Sequence, residues 1–434
     1  MFWQKELETM SRDQLADLQL KKLKETVARC YHNVPYYQKI FKEQGILPED
    51  IRSLDDLKKL PMTRKAALRE NYPFKLLACP MRDVVRIHGS SGTTGKPTMV
   101  AYTRHDLDIW SDCVTRVVCA GGATPDDVAQ IAFGYGLFTG ALGLHQGLEK
   151  LGCAVIPMSA GNTEKQLMLM QDLGVTVLIA TPSYALYLSE VAAQKGIIGN
   201  LKLRIGFFGA EGCTPEMRQK IEENFGIIAT DNYGMSELTG PGVSGECEYR
   251  CGLHIWEDHF IPEIIDPETG EVLPAGSTGE LVVTPLFKEA LPLLRYRTGD
   301  ITRLDYSPCA CGRTHVRMEK VQGRSDDMMI IKGVNVFPSQ IESVLLGVDQ
   351  VGPHYLLILR RKNFLDTLEV QIELIDGSLL EDFRQLQALR SDIRARLKTV
   401  LGLDCAVTLV NPNTIERFQG KAKRVVDLRN QPEQ

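Results

Sequence analysis

The sequence predicts an α/β protein with a large N-terminal domain of parallel-sheet βαβ units plus a β-rich subdomain, followed by a small α+β C-terminal domain. Three observations carry this. From Arg86 onward, short apolar runs alternate with amphipathic stretches, the pattern of strands covered on both faces and joined by crossover helices. Beyond Phe260 the pattern turns to alternating strands joined by tight turns, such as Asp266-Pro-Glu-Thr-Gly270. With 434 residues the chain is also long enough for more than one core. The division that follows is residues 1–325 (helical start 1–80, α/β 81–240, β-rich 241–325) and 326–434.

Taken in order, Leu20, Leu23, Val27 and Cys30 line one face of a first helix, and Val34-Pro-Tyr-Tyr37 breaks it. Leu54, Leu57 and Leu60 mark a short second helix stopped by Pro61, and Thr63 is the expected N-cap of the next. Cys153 to Met158, Val175 to Ala180 and Leu203 to Phe208 read as buried parallel strands. Thr214 as cap, Pro215 at the first position, Met217, Ile221 and Phe225 on one face and Gly226 at the end define a helix after them. In the last domain, Tyr355 to Arg360, Leu368 to Ile375 and Cys405 to Val410 read as strands, and Glu381 to Leu401 as an amphipathic helix.

Composition narrows the function. Hydrophobic residues at 44%, charged ones at 24% and a net charge of −5 give no signal for nucleic acid or an anionic membrane. No apolar run is long enough to span a bilayer, and the first residues lack a basic segment followed by an apolar core. The expectation is a cytoplasmic protein whose eleven cysteines are thiols or metal ligands.

His88-Gly-Ser-Ser-Gly-Thr-Thr-Gly-Lys-Pro97 reads as a phosphate-gripping loop. Its glycines let the backbone approach an anion closely, Ser90, Ser91, Thr93 and Thr94 add hydroxyl donors around Gly92 and Gly95, and Lys96 adds a mobile charge. A flexible surface loop has similar composition. Walker A does not fit, because five residues separate Gly89 from Gly95 and Pro97 stands where a magnesium-binding hydroxyl belongs. Two further stretches fall at carboxyl ends of predicted strands, where α/β sheets bind ligands: Gly209-Ala210-Glu211 and Asp231-Asn232-Tyr233-Gly234-Met235-Ser236-Glu237. Tyr233 and Met235 can flank a flat ring, and Glu237 offers either a helix cap or a hard oxygen for magnesium on ATP. Tyr135, Phe138 and Gly140 suit an apolar ring in a preformed pocket, or the core. Asp300, after Gly299, can accept hydrogen bonds from a ribose diol.

A second chemistry lies in Cys247-x3-Cys251-x2-His254 with Cys309-Ala-Cys311-Gly-Arg-Thr-His315. Thiolates and imidazoles of this kind suit tetrahedral zinc, with Cys247, His254, Cys309 and Cys311 as the closed structural set and Cys251 or His315 as substitutes; reduced loop thiols are the other reading.

In order along the chain, Ser90 to Lys96, Tyr233 to Glu237, Tyr296 to Asp300 and Gly323 to Glu342 resemble the motifs of adenylate-forming acyl-CoA synthetases. Tyr135 to Gly140, His254 to His259 and Gly333 to Gln340 resemble the phenylacetate–CoA ligase family in particular. The resemblance implies ATP, Mg2+ and coenzyme A as cofactors, a small aryl acid as substrate, and a small domain that rotates about Asp326. It also implies that Glu237 holds magnesium, Asp300 the ribose, Arg324 the nucleotide, and Gly209 to Glu211 with Asp231 to Met235 the adenine. Gly333 and Val334 then face the thiol, and Lys421, after Gly420, is the catalytic lysine, with Lys423 as the fallback. Gly212-Cys213 and Phe418-Gln419 depart from the pattern, the first at the acyl pocket wall. A carrier-protein loading enzyme and a non-catalytic nucleotide sensor are the alternatives, and a homodimer is left open.

Overall fold

A computed structural model describes residues 1–90, 97–324, 329–331, 334–362, 365–417 and 424–429. Ser91 to Lys96, Asp326, Gly333, Lys421 and Lys423 therefore lie outside the described residues. The helical start is as expected, with Arg12–Asn33 capped by Ser11 and Gln14, and Pro35 opening Pro35–Gln44. Leu23, Val27 and Cys30 of the predicted face are fully buried, while Leu20 packs at the edge. Leu54–Lys59 is a 3-10 helix. The N-cap expectation at Thr63 is corrected: Arg64 occupies that position ahead of Lys65–Glu70, without a side-chain cap. Thr63 instead bridges to Tyr296, and its hydroxyl donates to the Leu294 carbonyl at 2.7 Å, because a buried Thr beside a strand satisfies its hydroxyl there.

The parallel strands and the β-rich part form one sheet. Among the described residues it has twelve strands. Ala154–Ile156, Val128–Ile131, Val177–Ala180, Ile205–Phe208 and the first half of Ile228–Met235 run parallel. From Asn232 the last of these pairs antiparallel with Gly240–Glu246, and the sheet continues as antiparallel strands to Phe260–Ile265. Pairing switches at the stretch that carries Glu237, which puts the carboxyl ends of the parallel strands beside the antiparallel half. Helix Pro215–Phe225 has the Thr214 cap, the N-terminal proline and the left-handed Gly226 read from sequence, and it buries Met217, Ile221 and Phe225.

The last part has its own core, in which Leu357, Val370, Ile372, Ile393 and Leu397 are completely buried. Its sheet pairs Val351–Lys362 with Leu365–Leu374, flanked by Ala406–Val410 and by Val425–Asp427. Helix Phe383–Leu401 covers it, capped by Asp382. Leu346 packs into the core of the large domain around Met217 and Phe225. Among the described residues no helix is long and apolar enough to cross a membrane.

Candidate functional site

The predicted stretches converge at the carboxyl edge of the parallel strands. Strand Ile205–Phe208 delivers Gly209, Ala210 and Glu211, and Ala210 is left-handed at φ 70°. The neighbouring strand brings Asn232 alongside, and its side-chain amide donates to the Phe208 carbonyl at 2.8 Å. A Cβ on Gly209 would sit 2.7 Å from the Asn232 carbonyl, so only glycine fits this junction. Gly234 is tighter: a Cβ there would lie 1.9 Å from the Gly240 carbonyl, so it permits close approach to its own hairpin. Asp231 ion-pairs with Arg218 at 2.6 Å and with Lys320 at 3.0 Å, and Met235 packs at the edge of the core. Glu211 accepts from the Ser183 backbone N–H at 2.7 Å.

Two distant motifs meet through one hydrogen bond. The Tyr233 hydroxyl donates to Asp300 Oδ2 at 2.6 Å, and burial followed by the Asp300 charge raises the phenol pKa well above its ordinary value. Asp300 lies opposite Arg324 in the antiparallel pairing, with Arg324 Nε 3.8 Å from its other oxygen. Glu237, in the turn that follows the strand carrying Tyr233, is buried with an Oε1 that has no hydrogen-bond partner among the described residues, and Lys65 Nζ stands 3.6 Å away. Lys65 supplies one cation to this buried carboxylate, and its hard oxygen, which makes no hydrogen bond among the described residues, also fits magnesium.

The stretch expected to grip phosphate is bounded by a paired neck. Arg86–Gly89 and Met99–Tyr102 pair antiparallel, the Ser90 N–H donates to the Thr98 carbonyl at 2.9 Å and the Thr98 N–H to Ser90 Oγ at 3.1 Å. The Gly89 N–H donates to the Leu137 carbonyl at 2.9 Å, which ties the neck to the aromatic stretch. In that stretch Phe133 and Phe138 stack at 6.0 Å, and a Cβ on Gly140 would come within 2.6 Å of Phe133. The Tyr135 hydroxyl is 2.9 Å from His145 Nδ1, and His145 Nε2 is 2.8 Å from Glu149. Thr139 and Ser236 hydroxyls lie 3.0 Å apart, so the aromatic stretch also touches the Glu237 turn.

Sequence reasoning missed what braces that turn. Tyr102 and Trp110 stack at 5.1 Å; Tyr102 donates to the Thr239 carbonyl at 2.9 Å and Trp110 Nε1 to the Pro241 carbonyl at 2.7 Å. Lys288 Nζ sits 3.9 Å above the Tyr102 ring, where burial lowers its pKa to about 8. No local sequence signal marks these residues, because they act through contacts between distant segments. Val334 lies in the short strand Val334–Val336, partly buried against the small core.

Away from this edge, Cys247, His254, Cys309 and Cys311 bring their ligand atoms within 4.8 Å of one another. The Cys247–Cys309 sulfurs are 3.7 Å apart and Cys311 Sγ is 3.4 Å from His254 Nε2. Metal–ligand bonds of about 2.3 Å to sulfur and about 2.0 Å to nitrogen give tetrahedral edges of roughly 3.8 and 3.5 Å, so the donors fit zinc. His254 Nδ1 lies 3.3 Å from the His315 carbonyl, which leaves Nε2 for a metal. The two substitutes are engaged elsewhere: His315 Nε2 lies 3.1 Å from the Leu7 carbonyl, and Arg317 donates to Cys251 Sγ at 2.7 Å. Cys251 still stands 3.6 Å from Cys309.

Comparison with known proteins adds to this geometry. The AMP-binding enzyme family matches residues 13–285, and the AMP-binding enzyme C-terminal domain matches residues 333–429. The chain is 48% identical to a phenylacetate-coenzyme A ligase of Thermus thermophilus, over 99% of this chain and 100% of that one. Its structure is similar to a 2-hydroxyisobutyryl-CoA ligase in the postadenylation state with 2-HIB-AMP, at a TM-score of 0.92 and 28% identity over 98% and 92% of the chains. Against that ligase in the thioesterification state with coenzyme A the TM-score is 0.73, at 29% identity over 99% and 93%.

Proposed function

The chain belongs to the AMP-binding enzyme family, in its phenylacetate–CoA ligase branch, and from that membership we propose ATP-dependent activation of a small aryl acid of the phenylacetate kind. A carboxylate oxygen attacks the α-phosphorus of ATP as the bond to pyrophosphate breaks, giving an acyl-adenylate. The coenzyme A thiolate then attacks the acyl carbon and AMP leaves. The observation that carries the reading is the meeting of the loop neck, the aromatic stretch, Glu237 and Asp300 at one strand edge, through the Gly89–Leu137, Thr139–Ser236 and Tyr233–Asp300 bonds.

In this reading the backbone and hydroxyls of residues 90–96 hold the phosphates, Gly209 to Glu211 with Asp231 to Met235 frame the adenine, and Asp300 with Arg324 holds the ribose. Tyr135, Phe138 and Gly140 shape the acyl pocket. Magnesium, when bound at Glu237, neutralises the triphosphate. The role of Lys421 is to offset the repulsion between the carboxylate and the α-phosphate, which grows as water leaves. We place the domain boundary at 325/326, with Asp326 as hinge and Gly333 and Val334 toward the thiol. Zinc at Cys247, His254, Cys309 and Cys311 is structural, joining strand Leu253–Ile255 to the two loops that carry the cysteines. A cytoplasmic homodimer completes the reading, and light scattering decides the oligomer.

Incubation with ATP, free coenzyme A and a panel of aryl acids tests the function. The expected products are aryl-acyl-CoA, AMP and pyrophosphate. Activity only with a carrier-protein thiol favours a loading enzyme, and ATP binding without any product favours a sensor.

A further inference from the structure

Arg424 follows Lys421 by three residues and opens the strand Val425–Asp427, where its carbonyl accepts from the Leu357 N–H at 2.7 Å. Its side chain is only 16% exposed. Within the small domain the guanidinium lies 4.4 Å over the Tyr355 ring and its Nη1 is 2.6 Å from Glu342 Oε1. Its other nitrogen leaves that domain. Nη2 donates to Ser183 Oγ at 3.0 Å, and Ser183, in the first turn of helix Pro182–Gln194, gives its own N–H to Glu211. A continuous path thus runs from the start of the strand next to Lys421 to the end of the strand that presents Glu211.

Among the described residues other contacts also join the two domains: Leu346 packs into the core around Met217 and Phe225, and Ser339 Oγ donates to the Gln322 carbonyl at 2.7 Å. Ser343 donates to Glu216 at 3.1 Å and His354 lies 3.6 Å from Glu190. Around Arg424 a cleft between the domains is lined by Ser183, Tyr187, Met217, His354, Ile415 and Arg417. Burial works against the Arg424 charge, but Tyr355, Glu342 and Glu211 outweigh it and raise the pKa, so the cation stays charged in place. A planar fork suits this junction, because one face stacks on Tyr355 while two nitrogens reach partners on different domains.

We propose that Arg424 is a positioning residue for the first half-reaction: its bridge to Ser183 and Glu211 holds the small domain against the large one in the arrangement that forms the adenylate. This rests on the ligase reading above. The bridge is made in an overall arrangement that matches the postadenylation-state relative better than the thioesterification-state one, so releasing it should cost adenylate formation and leave the thiol step free. Residues that act by stabilising the fold lower both steps together.

The test compares two half-reactions in Arg424→Ala and Ser183→Ala, with folding checked by circular dichroism. Phenylacetate-dependent ATP–pyrophosphate exchange reads the first step, and thioester formation from synthetic phenylacetyl-adenylate with coenzyme A reads the second. Expected is a loss of exchange of about thirtyfold for Arg424→Ala and about fivefold for Ser183→Ala, the scale of a charge-assisted hydrogen bond, with the thiol step within about twofold of the parent. The double variant should be no worse than Arg424→Ala alone. Equal losses in both steps, or exchange within about twofold of the parent in both variants, overturn the assignment. Should Arg424→Ala fail to fold, the ratio of the two steps in Ser183→Ala decides alone. A parent protein that exchanges no pyrophosphate with any acid strikes the ligase reading itself, and the bridge with it.

Discussion

Tyr233 and Asp300, far apart in sequence, are joined by a 2.6 Å hydrogen bond from phenol to carboxylate. The bond fixes one Asp300 oxygen and orients the other toward Arg324. Tyr233→Phe keeps the ring but removes this one bond from Asp300, so the KM for ATP should rise about tenfold with a smaller change in kcat. An unchanged KM for ATP would show that Asp300 needs no such support.

Glu237→Gln keeps the shape of the buried side chain and removes its charge. Adenylation should fall about a hundredfold or more while the circular dichroism spectrum persists. The loss should be partly relieved by raising magnesium. Loss of folding would assign Glu237 a structural role, and undiminished pyrophosphate release at limiting magnesium would reject the metal role.

Protein purified without added metal should carry about one zinc per chain. Cys311→Ser should lower both the zinc content and the melting temperature, because the site joins the Cys247 loop to the Cys309 loop. Fully folded protein with less than about a quarter-equivalent of zinc would contradict the assignment.

His259 and His315 give a pH signature. Burial lowers their pKa values to about 3 and about 4, both below the unfolded value of 6.5. Near neutral pH both states are uncharged; as pH falls through 6.5 the unfolded chain takes up protons that the folded one refuses. Their contribution to stability is thus present above 6.5 and lost as pH drops toward 4, at up to about 1.4 kcal/mol per pH unit for each group. Thermal unfolding between pH 7 and 5 should show this slope, reduced in His259→Asn; an equal slope in that variant would assign it to other groups.

Much of the fold is legible because local rules act alone in places. Helix Pro215–Phe225 has a cap, a proline and a terminal glycine that each act within a turn, and all three are readable. The clustering of Cys247, His254, Cys309 and Cys311 was legible because thiols and imidazoles are rare at such spacings. Thr63 was misread because its hydroxyl answers to Leu294, remote in sequence. Tyr102, Trp110 and Lys288 were invisible for the same reason: their roles exist only once the hairpin carrying Glu237 folds against them. The single sheet shared by the parallel and β-rich parts was also hidden, since strand order depends on partners and not on periodicity.

The acid is activated as its adenylate before any thiol takes part. This order is tested most directly by isotope exchange between pyrophosphate and ATP in the absence of coenzyme A, with and without phenylacetate. Exchange should require both magnesium and the aryl acid and should disappear in Lys421→Ala. Exchange absent until coenzyme A is added, or formation of ADP and phosphate in place of AMP and pyrophosphate, would contradict adenylate formation as the first step.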